Sequence, residues 1–267
     1  MPLRIVVTAK QVIDPETPAS AFRIDSQALK VLPPASVPPV VNGFDEQAIE
    51  AALQIKDAAP DTHVTVLSIG ISFAMDVMKK PLAMGADELV LVQDDALVNS
   101  PDPSVAVHVL AAAIRKLGDV DLVLCGRQAS DWDNAQVPLG LAEELGLAVT
   151  TIAKEVAVEN GLARVERVLP DGSETVEIAL PALVTVSNEL GQARYPTLRG
   201  IMAAGRKAPT IWSVADVGLD VSSLTPGLEL VGLALPESGA ACEFIEGEDD
   251  ADAGRKLALK LREAKLV

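Results

Sequence analysis

The sequence predicts an α/β fold in which helices cover a parallel β-sheet, followed by an antiparallel hairpin extension and a C-terminal arm. Short apolar runs rich in β-branched residues alternate with longer amphipathic stretches up to about residue 150, after which the apolar residues recur with period two. Hydrophobic residues make up 49% of the 267 residues and aromatic residues only 3%. Val, Leu, Ile and Ala therefore fill the core, as is typical of parallel strands buried on both faces.

Four segments have the length and composition of buried strands, and the stretches between them predict crossover helices. The strands are Arg4–Ala9, His63–Gly70, Glu88–Gln93 and Asp121–Gly126. The helices are Asp45–Ala58, Ile71–Ala86, Ser104–Gly118, and one that follows the polar stretch Gly126–Asp133 and ends at Gly146. This alternation predicts right-handed parallel crossovers.

The segment Lys154–Ser187 predicts an antiparallel meander, with Asn160-Gly161 and Asp171-Gly172 as hairpin turns and Pro181–Ser187 as a buried return strand. We expect one domain over residues 1–207, with the hairpin extension at about 150–187. Residues 208–267 lack a continuous core pattern and contain an acidic run. They predict an arm that needs a partner to be ordered.

Composition excludes several classes of function. Lys and Arg total 22 against 38 Asp and Glu, a net charge of −16, which argues against binding to nucleic acid or to anionic membranes. The two cysteines, Cys125 and Cys242, have no metal-ligand spacing, and Cys125 reads as a small buried hydrophobe. The N-terminus does not resemble a signal peptide and no stretch is long enough to span a membrane, so we expect a cytoplasmic protein.

Ligands of such sheets bind at the carboxyl ends of the strands. These ends show neither GxGxxG nor GxxxxGK[ST], but they offer Thr8, Ser68, Gly70, Ser130 and Asn134, whose main-chain amides we expect to donate to a ligand. A phosphate or an adenine fits such a set, and the nearest compensating cations are Lys10, Arg127 and Arg206. The alternative is that "GRQASDWDNAQVP" (126–138) only starts a helix, with Asp133 or Asn134 as N-cap and Trp132 covering the sheet edge.

The two histidines, His63 and His108, belong to no nucleophilic, metal or paired-carboxylate set in the sequence, and both are interpreted as structural. The chain therefore does not look like an enzyme that acts alone.

Several segments in register resemble the electron transfer flavoprotein β subunit family. They are "RIVVTAKQVIDP" from Arg4, "VNGFDEQAIEAA" from Val41, "LAMGAD" at Leu82–Asp87, "DLVLCGRQASDWD" from Asp121 and "NELGQARYPTLRGIMAAGRKAP" from Asn188. The likeness covers about Arg4 to Ile211.

The resemblance implies an adenine-nucleotide-hydrolase-like sandwich that pairs with a larger α subunit. FAD lies chiefly on the α subunit and touches this chain from the side near Phe44, and the chain's own nucleotide is usually AMP with a structural role. The resemblance implies nucleotide contacts at Thr8, Asn42, Gly43, Phe44, Asp45, Ile69, Gly126, Arg127, Gln128, Ala129, Ser130, Asp131, Trp132, Asp133, Asn134, Ala135, Gln136 and Val137. Together with Ala9, Lys10, Ser68 and Gly70 at the ends of the same strands, these are the predicted cofactor-binding residues.

The resemblance also implies a docking loop for partner dehydrogenases within about residues 188–207. Its residues are Tyr195, Pro196, Thr197, Leu198 and Arg199, with Leu198 as the apolar anchor. The alternative is a local role in which Leu198 packs on Met202 one helical turn away. The resemblance further implies that the chain is part of an electron carrier between flavin dehydrogenases, such as the acyl-CoA dehydrogenases of fatty acid oxidation, and a quinone reductase. The arm 208–267 is expected to pack on the α subunit.

The nucleotide loop departs from the single-flavin pattern. Ala135-Gln136-Val137 is more similar to β subunits of bifurcating flavoproteins, which have a second FAD in place of AMP and receive hydride from NADH. Those usually have Gly where Trp132 stands, and a Trp there either closes the space for a flavin or stacks on the nucleotide. An ATP-binding hydrolase or ligase of similar fold is the alternative from another class, and the lack of a glycine-rich phosphate loop disfavours it.

Overall fold

The sheet dominates the architecture of this computed structural model, which describes residues 2–34, 37–97, 102–235 and 242–267. The described strands are β1 Arg4–Thr8, β2 Gln11–Val12, β3 Arg23–Asp25, β4 Lys30–Leu32, β5 Val40–Val41, β6 His63–Gly70, β7 Glu88–Gln93, β8 Leu122–Gly126, β9 Ala148–Glu159, β10 Leu162–Leu169, β11 Gly172–Ala179, β12 Ala182–Val186 and β13 Thr210–Trp212. The described helices are α1 Gly43–Ala58, α2 Met75–Met78, α3 Lys80–Met84, α4 Ser104–Leu117, α5 Val137–Leu145, α6 Leu198–Arg206 and α7 Asp250–Glu263.

Nine of these strands form one sheet in the order β11-β10-β9-β12-β8-β1-β6-β7-β13. All neighbours from β9 to β13 pair in parallel, and β10 pairs antiparallel with both β9 and β11. Alternate side chains of β1 lie on opposite faces of the sheet. Ile5 and Val7 belong to the hydrophobic core that includes residues of α1, whereas Val6 belongs to the core that includes residues of α4 and α5. The predicted α/β class, with helices on both faces of a parallel sheet, is confirmed.

The predicted helix Ile71–Ala86 is wrong in detail. The chain leaves β6 as a loop and then forms two short helices, α2 and α3, which meet at Lys79. Pro81 lies in the first turn of α3, where its missing N–H costs no hydrogen bond, so the proline begins a new helix and does not continue the old one.

The predicted antiparallel return strand is also wrong. Strand β12 lies between β8 and β9 and is parallel to both. All five of its residues are buried, which fits a central strand covered on both faces. The Asn160-Gly161 turn is confirmed, since both residues have the positive φ angles, 52° and 77°, of a two-residue hairpin turn. In the second turn Leu169 pairs with Gly172, so Pro170 and Asp171 are the central residues.

The chain divides into two compact units, Met1–Leu233 and Ala234–Val267. The first includes β13, which pairs with β7 at the edge of the sheet, and the buried side chains of Val214 and Val217. A three-residue strand gives too short a pattern to be recognised in the sequence. In the second unit α7 has no buried residue, and Asp249 caps it by accepting the N–H of Asp252 at 2.7 Å. None of the described helices has the length and apolarity that crossing a membrane requires.

Candidate functional site

A cleft of about 360 Å³ opens where β1, β6 and β8 end. Its volume lies at the lower end of the roughly 300–1,000 Å³ typical of ligand pockets. The first turns of α4 and α5 face it as well, which brings main-chain N–H groups and the positive ends of two helix dipoles to its walls. Most of the remaining wall is apolar.

Most of the predicted cofactor-binding residues line this cleft. They are Thr8, Ala9, Lys10, Asp45, Ile69, Gly70, Gly126, Gln128, Ala129, Trp132, Asn134, Ala135, Gln136 and Val137. The other predicted residues lie behind or beside the wall: Asn42, Gly43, Phe44, Ser68, Arg127, Ser130, Asp131 and Asp133. Ser68 is 1% exposed, and its hydroxyl has no hydrogen-bond partner among the described residues.

The start of α1 joins the ends of β1 and β8. Asp45 accepts the backbone N–H of Lys10 at 2.8 Å and that of Gly126 at 3.1 Å. Asn42 donates its side-chain amide to the carbonyl of Gln128 at 2.8 Å and accepts the N–H of Ser130 at 3.2 Å. We call Asn42 and Asp45 the strand-end pair. Both side chains are buried, so the shape of the cleft depends on these bonds.

Gly126 is the residue that permits this close approach. A Cβ atom at this position would lie 2.7 Å from the carbonyl carbon of Phe44 and 2.8 Å from the nitrogen of Asp45, and it would overlap the Asp45 carboxylate. Any larger residue would therefore separate α1 from β8.

The loop after β8 is not an ordinary helix cap. Neither Asp133 nor Asn134 caps α5, so that interpretation was wrong: the N-cap is Gln136, which makes no side-chain capping bond. Asp133 and Ala135 have positive φ angles of 51° and 54°, and Asp133 accepts the side-chain amide of Gln128 at 2.8 Å. Strained non-glycine backbone of this kind persists where the surroundings require it and is common at ligand sites.

The charges around the cleft are largely paired. The ammonium of Lys10 lies 2.7 Å from a carboxylate oxygen of Asp131. Arg127 points away from the cleft, with its guanidinium 4.9 Å from the ring centre of Phe44 and its Nη1 3.4 Å from the hydroxyl of Ser187. Arg206, on α6, does not line the cleft. The wall therefore offers a ligand chiefly neutral donors.

The sequence did not reveal a second group of lining residues. They are Gln11, Ile71, Ser72, Phe73, Leu97, Asp102, Pro103, Val105, Ala106, Leu110 and Pro138. The prediction of one helix over Ile71–Ala86 gave no reason to place Phe73 at the cleft. In the structure its ring packs close to Gly70, where an added Cβ atom would lie 3.3 Å from it. Val105 and Leu110 belong to an apolar helix face whose pattern indicates core, and no signal in the sequence distinguishes the part that faces a ligand.

The predicted docking loop lies on the surface. Tyr195 is 79% exposed and Leu198, the first residue of α6, is 76% exposed. Thr197 caps the helix by accepting the N–H of Gly200 at 3.0 Å. Helix α6 packs against α3, and its single buried residue is Ala204.

The contacts of the two histidines and the burial of Cys125 are typical of residues with a structural role. The Nδ1 of His108 lies 2.6 Å from a carboxylate oxygen of Glu144, and His63 lies near Asp87 and Glu88. Burial raises the pKa of the Cys125 thiol to about 12, which leaves it unreactive at neutral pH. Among the described residues no group of three or more potential ligands is placed to bind a metal ion.

Comparison with known proteins agrees with this architecture. Residues 32–217 match the electron transfer flavoprotein domain. The chain is 37% identical over 99% of its length to subunit CarD of the caffeyl-CoA reductase-Etf complex of Acetobacterium woodii, of which it covers 100%. It is 38% identical to the electron transfer flavoprotein subunit beta of Megasphaera elsdenii, over 82% of this chain and 81% of that one. It is 33% identical to the Mycobacterium leprae subunit beta, over 98% and 99%. The chain therefore belongs to the electron transfer flavoprotein β subunit family.

Proposed function

We propose that this chain pairs with an electron transfer flavoprotein α subunit and forms with it a carrier that accepts electrons from flavin dehydrogenases, such as acyl-CoA dehydrogenases, and delivers them to a quinone reductase. The family assignment supports the electron-transfer role and the α partner. The chain contributes binding and positioning and is not itself an enzyme. Residues 208–267 would supply part of the contact with the α subunit.

The cleft would bind AMP, and the start of α5 is the observation that supports this most directly. Gln136 and Val137 line the cleft, and the N-cap provides no side-chain acceptor for the first N–H groups of the helix. Such a helix start suits a phosphate group.

The paired charges of Lys10 and Asp131 favour a single phosphate over a more highly charged ligand. The apolar side chains of Ile69, Val105 and Leu110 offer a surface for an adenine ring. The donor set and the volume of the cleft therefore fit a mononucleotide.

The surface at Phe44 and Arg127 fits a flavin edge contributed by the α subunit. Phe44 is half-buried beneath the Arg127 guanidinium, and the Nε of Arg127 is buried without a partner among the described residues. Bound FAD would supply the electron-transfer chemistry. The residues of this chain would place an aromatic edge and a cation beside it, and a cation stabilises added negative charge on a neighbouring group.

A second candidate is the β subunit of a bifurcating complex, in which the cleft takes a second FAD reduced by NADH. The Ala135-Gln136-Val137 sequence and the relative named for a caffeyl-CoA reductase-Etf complex favour it. Trp132 lines the cleft, whose volume of about 360 Å³ lies at the lower end of the range for ligand pockets and suits a mononucleotide better than a dinucleotide. We therefore propose AMP, and not a second FAD, as the ligand of the cleft.

The nucleotide content of the purified heterodimer tests both candidates. The chain is co-expressed with its α subunit, the complex is extracted with acid, and FAD and AMP are counted by chromatography. One FAD and one AMP for each heterodimer supports the carrier, whereas two FAD and no AMP supports the bifurcating complex. A heterodimer that contains neither nucleotide contradicts both.

A further inference from the structure

The two carboxylate oxygens of Asp45 have separate tasks. One accepts the N–H of Lys10, the second residue after β1, and the other accepts the N–H of Gly126, the last residue of β8. Asn42 strengthens the same junction, since its backbone N–H donates to the carbonyl of Lys10 at 2.8 Å. Lys10, Asp45 and Gly126 all line the cleft, so the carboxylate connects two of its walls.

A similar junction exists at the opposite ends of the same two strands. Asp121 precedes β8, and its carboxylate accepts the N–H of Arg4, the first residue of β1, at 2.8 Å. The backbone N–H of Asp121 in turn donates to the carbonyl of Arg4 at 2.9 Å. Asp121 does not line the cleft. It therefore serves as an internal control that joins the same strands without touching the site.

We propose that Asp45 is a positioning residue for the nucleotide: its ionised carboxylate sets the separation of the Lys10 and Gly126 walls, so that nucleotide affinity follows the ionisation of Asp45. This inference rests on the proposed function of the cleft as an adenine-nucleotide site. An ionised carboxylate accepts both N–H groups through charge-assisted hydrogen bonds. When the carboxyl is protonated, the oxygen that carries the proton becomes a much weaker acceptor, so one wall is held less firmly.

The surroundings place this ionisation in the neutral range. Burial raises the pKa of Asp45 to about 7, against the lowering effect of the N–H groups of Lys10 and Gly126 and of the Asn42 side chain. Three other titratable groups are near Asp45: Lys10, Asp131 and Cys125. The Lys10 ammonium faces Asp45 from the end of β1 and is paired with the Asp131 carboxylate. The Cys125 thiol on β8 stays neutral because burial raises its pKa to about 12.

The test measures adenosine binding to the heterodimer, stripped of its nucleotide, by calorimetry between about pH 5.5 and 8.5. Adenosine is chosen because the phosphate of AMP itself titrates near pH 6. We expect the affinity of the wild-type complex to fall about tenfold between pH 8 and pH 6, because only the ionised fraction of Asp45 organises both walls. Binding should also release protons near neutral pH, which titrations in buffers of different ionisation enthalpy detect.

Two variants separate positioning from stability. Asp45→Asn should bind adenosine weakly and with no dependence on pH over this range. Asp121→Asn should lower the stability of the fold but retain the pH profile of the wild type. If Asp45→Asn does not fold, proton release by the wild-type complex decides the matter alone.

A wild-type affinity that is constant with pH, or proton uptake on binding, would overturn the role of Asp45 while the nucleotide site stands. The same slope in Asp45→Asn as in the wild type would overturn it too. If neither adenosine nor AMP binds at any pH, the proposed nucleotide site itself fails, and this inference fails with it.

Discussion

The guanidinium of Arg194 binds the carboxylate of Glu50 through its Nε at 2.8 Å and its Nη2 at 2.9 Å, and the backbone N–H of Arg194 donates to the same carboxylate at 3.0 Å. The Glu50 side chain is only 7% exposed. Arg194 directly precedes the predicted docking loop, and Glu50 lies in the middle of α1. The ion pair thus ties the start of the loop to the helix whose first turn forms the cleft wall.

Replacing Arg194 with Gln should destabilise the protein by about 2 kcal/mol or more, because it leaves the buried Glu50 carboxylate without its cation. Chemical denaturation of the purified protein measures the loss. Arg255→Gln, which removes an exposed ion pair with Asp252, is the control and should leave the stability almost unchanged, because exposed ion pairs contribute little. Equal losses in both variants would show that burial of Glu50 contributes nothing.

The stabilisation of the fold by this ion pair should depend on pH. Burial alone would raise the pKa of Glu50, but the hydrogen bonds from Arg194 outweigh burial, and the net effect lowers it from the ordinary value of 4.5. Since the folded state has the lower pKa, the stabilisation is complete above about pH 4.5 and is lost as the pH falls through the lowered value. Denaturation curves of Arg194→Gln and the wild type should therefore converge on acidification. A constant gap down to low pH would contradict this.

Replacing each of the two glycines of α6 with alanine should have opposite effects on the stability of the protein. A Cβ on Gly200 would overlap the carbonyl oxygen of Ala83 on α3, whereas a Cβ on Gly205 meets no atom within 4 Å. Gly200→Ala should push α6 off α3 and lower the melting temperature. Gly205→Ala should be neutral or stabilise by up to about 1 kcal/mol, since alanine favours a helix interior. Thermal denaturation of the two variants measures both effects, and a harmless Gly200→Ala would show that the contact between α3 and α6 is not tight.

The parallel strands were predictable because each is a short apolar run with polar ends. The helices between them were predictable because their apolar residues recur with the period of an amphipathic helix. The bounds of β6 and β7 agree with those predicted. The strand-end pair was not derivable from local pattern, since Asn42 and Ser130 are 88 residues apart and nothing near either reports the contact. Only the family resemblance drew attention to Asn42 and Asp45.

Local pattern also failed where a strand was short or where its direction depended on distant neighbours. The apolar run of β12 predicted burial correctly, but a run buried on both faces fits parallel and antiparallel pairing equally. The helix Ile71–Ala86 failed because its apolar spacing outweighed the proline at residue 81.

Truncation of Leu198 tests the docking loop. With 76% of its surface exposed, Leu198 contributes little to the fold, so Leu198→Ala should slow reduction of the heterodimer by a dehydrogenase at unchanged FAD content and melting temperature. Met202, 57% exposed one turn on, distinguishes the alternative of local packing. If Met202→Ala and Leu198→Ala both lower stability and neither alters the reduction rate, the loop has a local role. Leu162→Ala, on the distant strand β10, is the control for an exposed leucine.

Asp102 lies in the cleft wall and accepts the backbone N–H groups of Gly227 and of Leu228, the latter at 3.1 Å. The N–H of Ser104 bonds the same carboxylate at 2.9 Å and is the main cause that lowers the pKa of Asp102. Because hydrogen bonds to an ionised acceptor contribute about 1.5–3 kcal/mol, Asp102→Ala should speed hydrogen exchange at Gly227 and Leu228 by about tenfold or more.

Asp220→Ala provides the matched comparison, since Asp220 accepts the N–H of Ser222 at 2.8 Å and acts only within its own turn. Its effect on exchange should stay within residues 220–224. Saturating AMP should slow exchange at Gly227 and Leu228 in the wild type but not in Asp102→Ala, because only the wild type connects these residues to the cleft wall. If AMP protects both proteins equally, Asp102 is not the link between the proposed nucleotide site and residues 227–228.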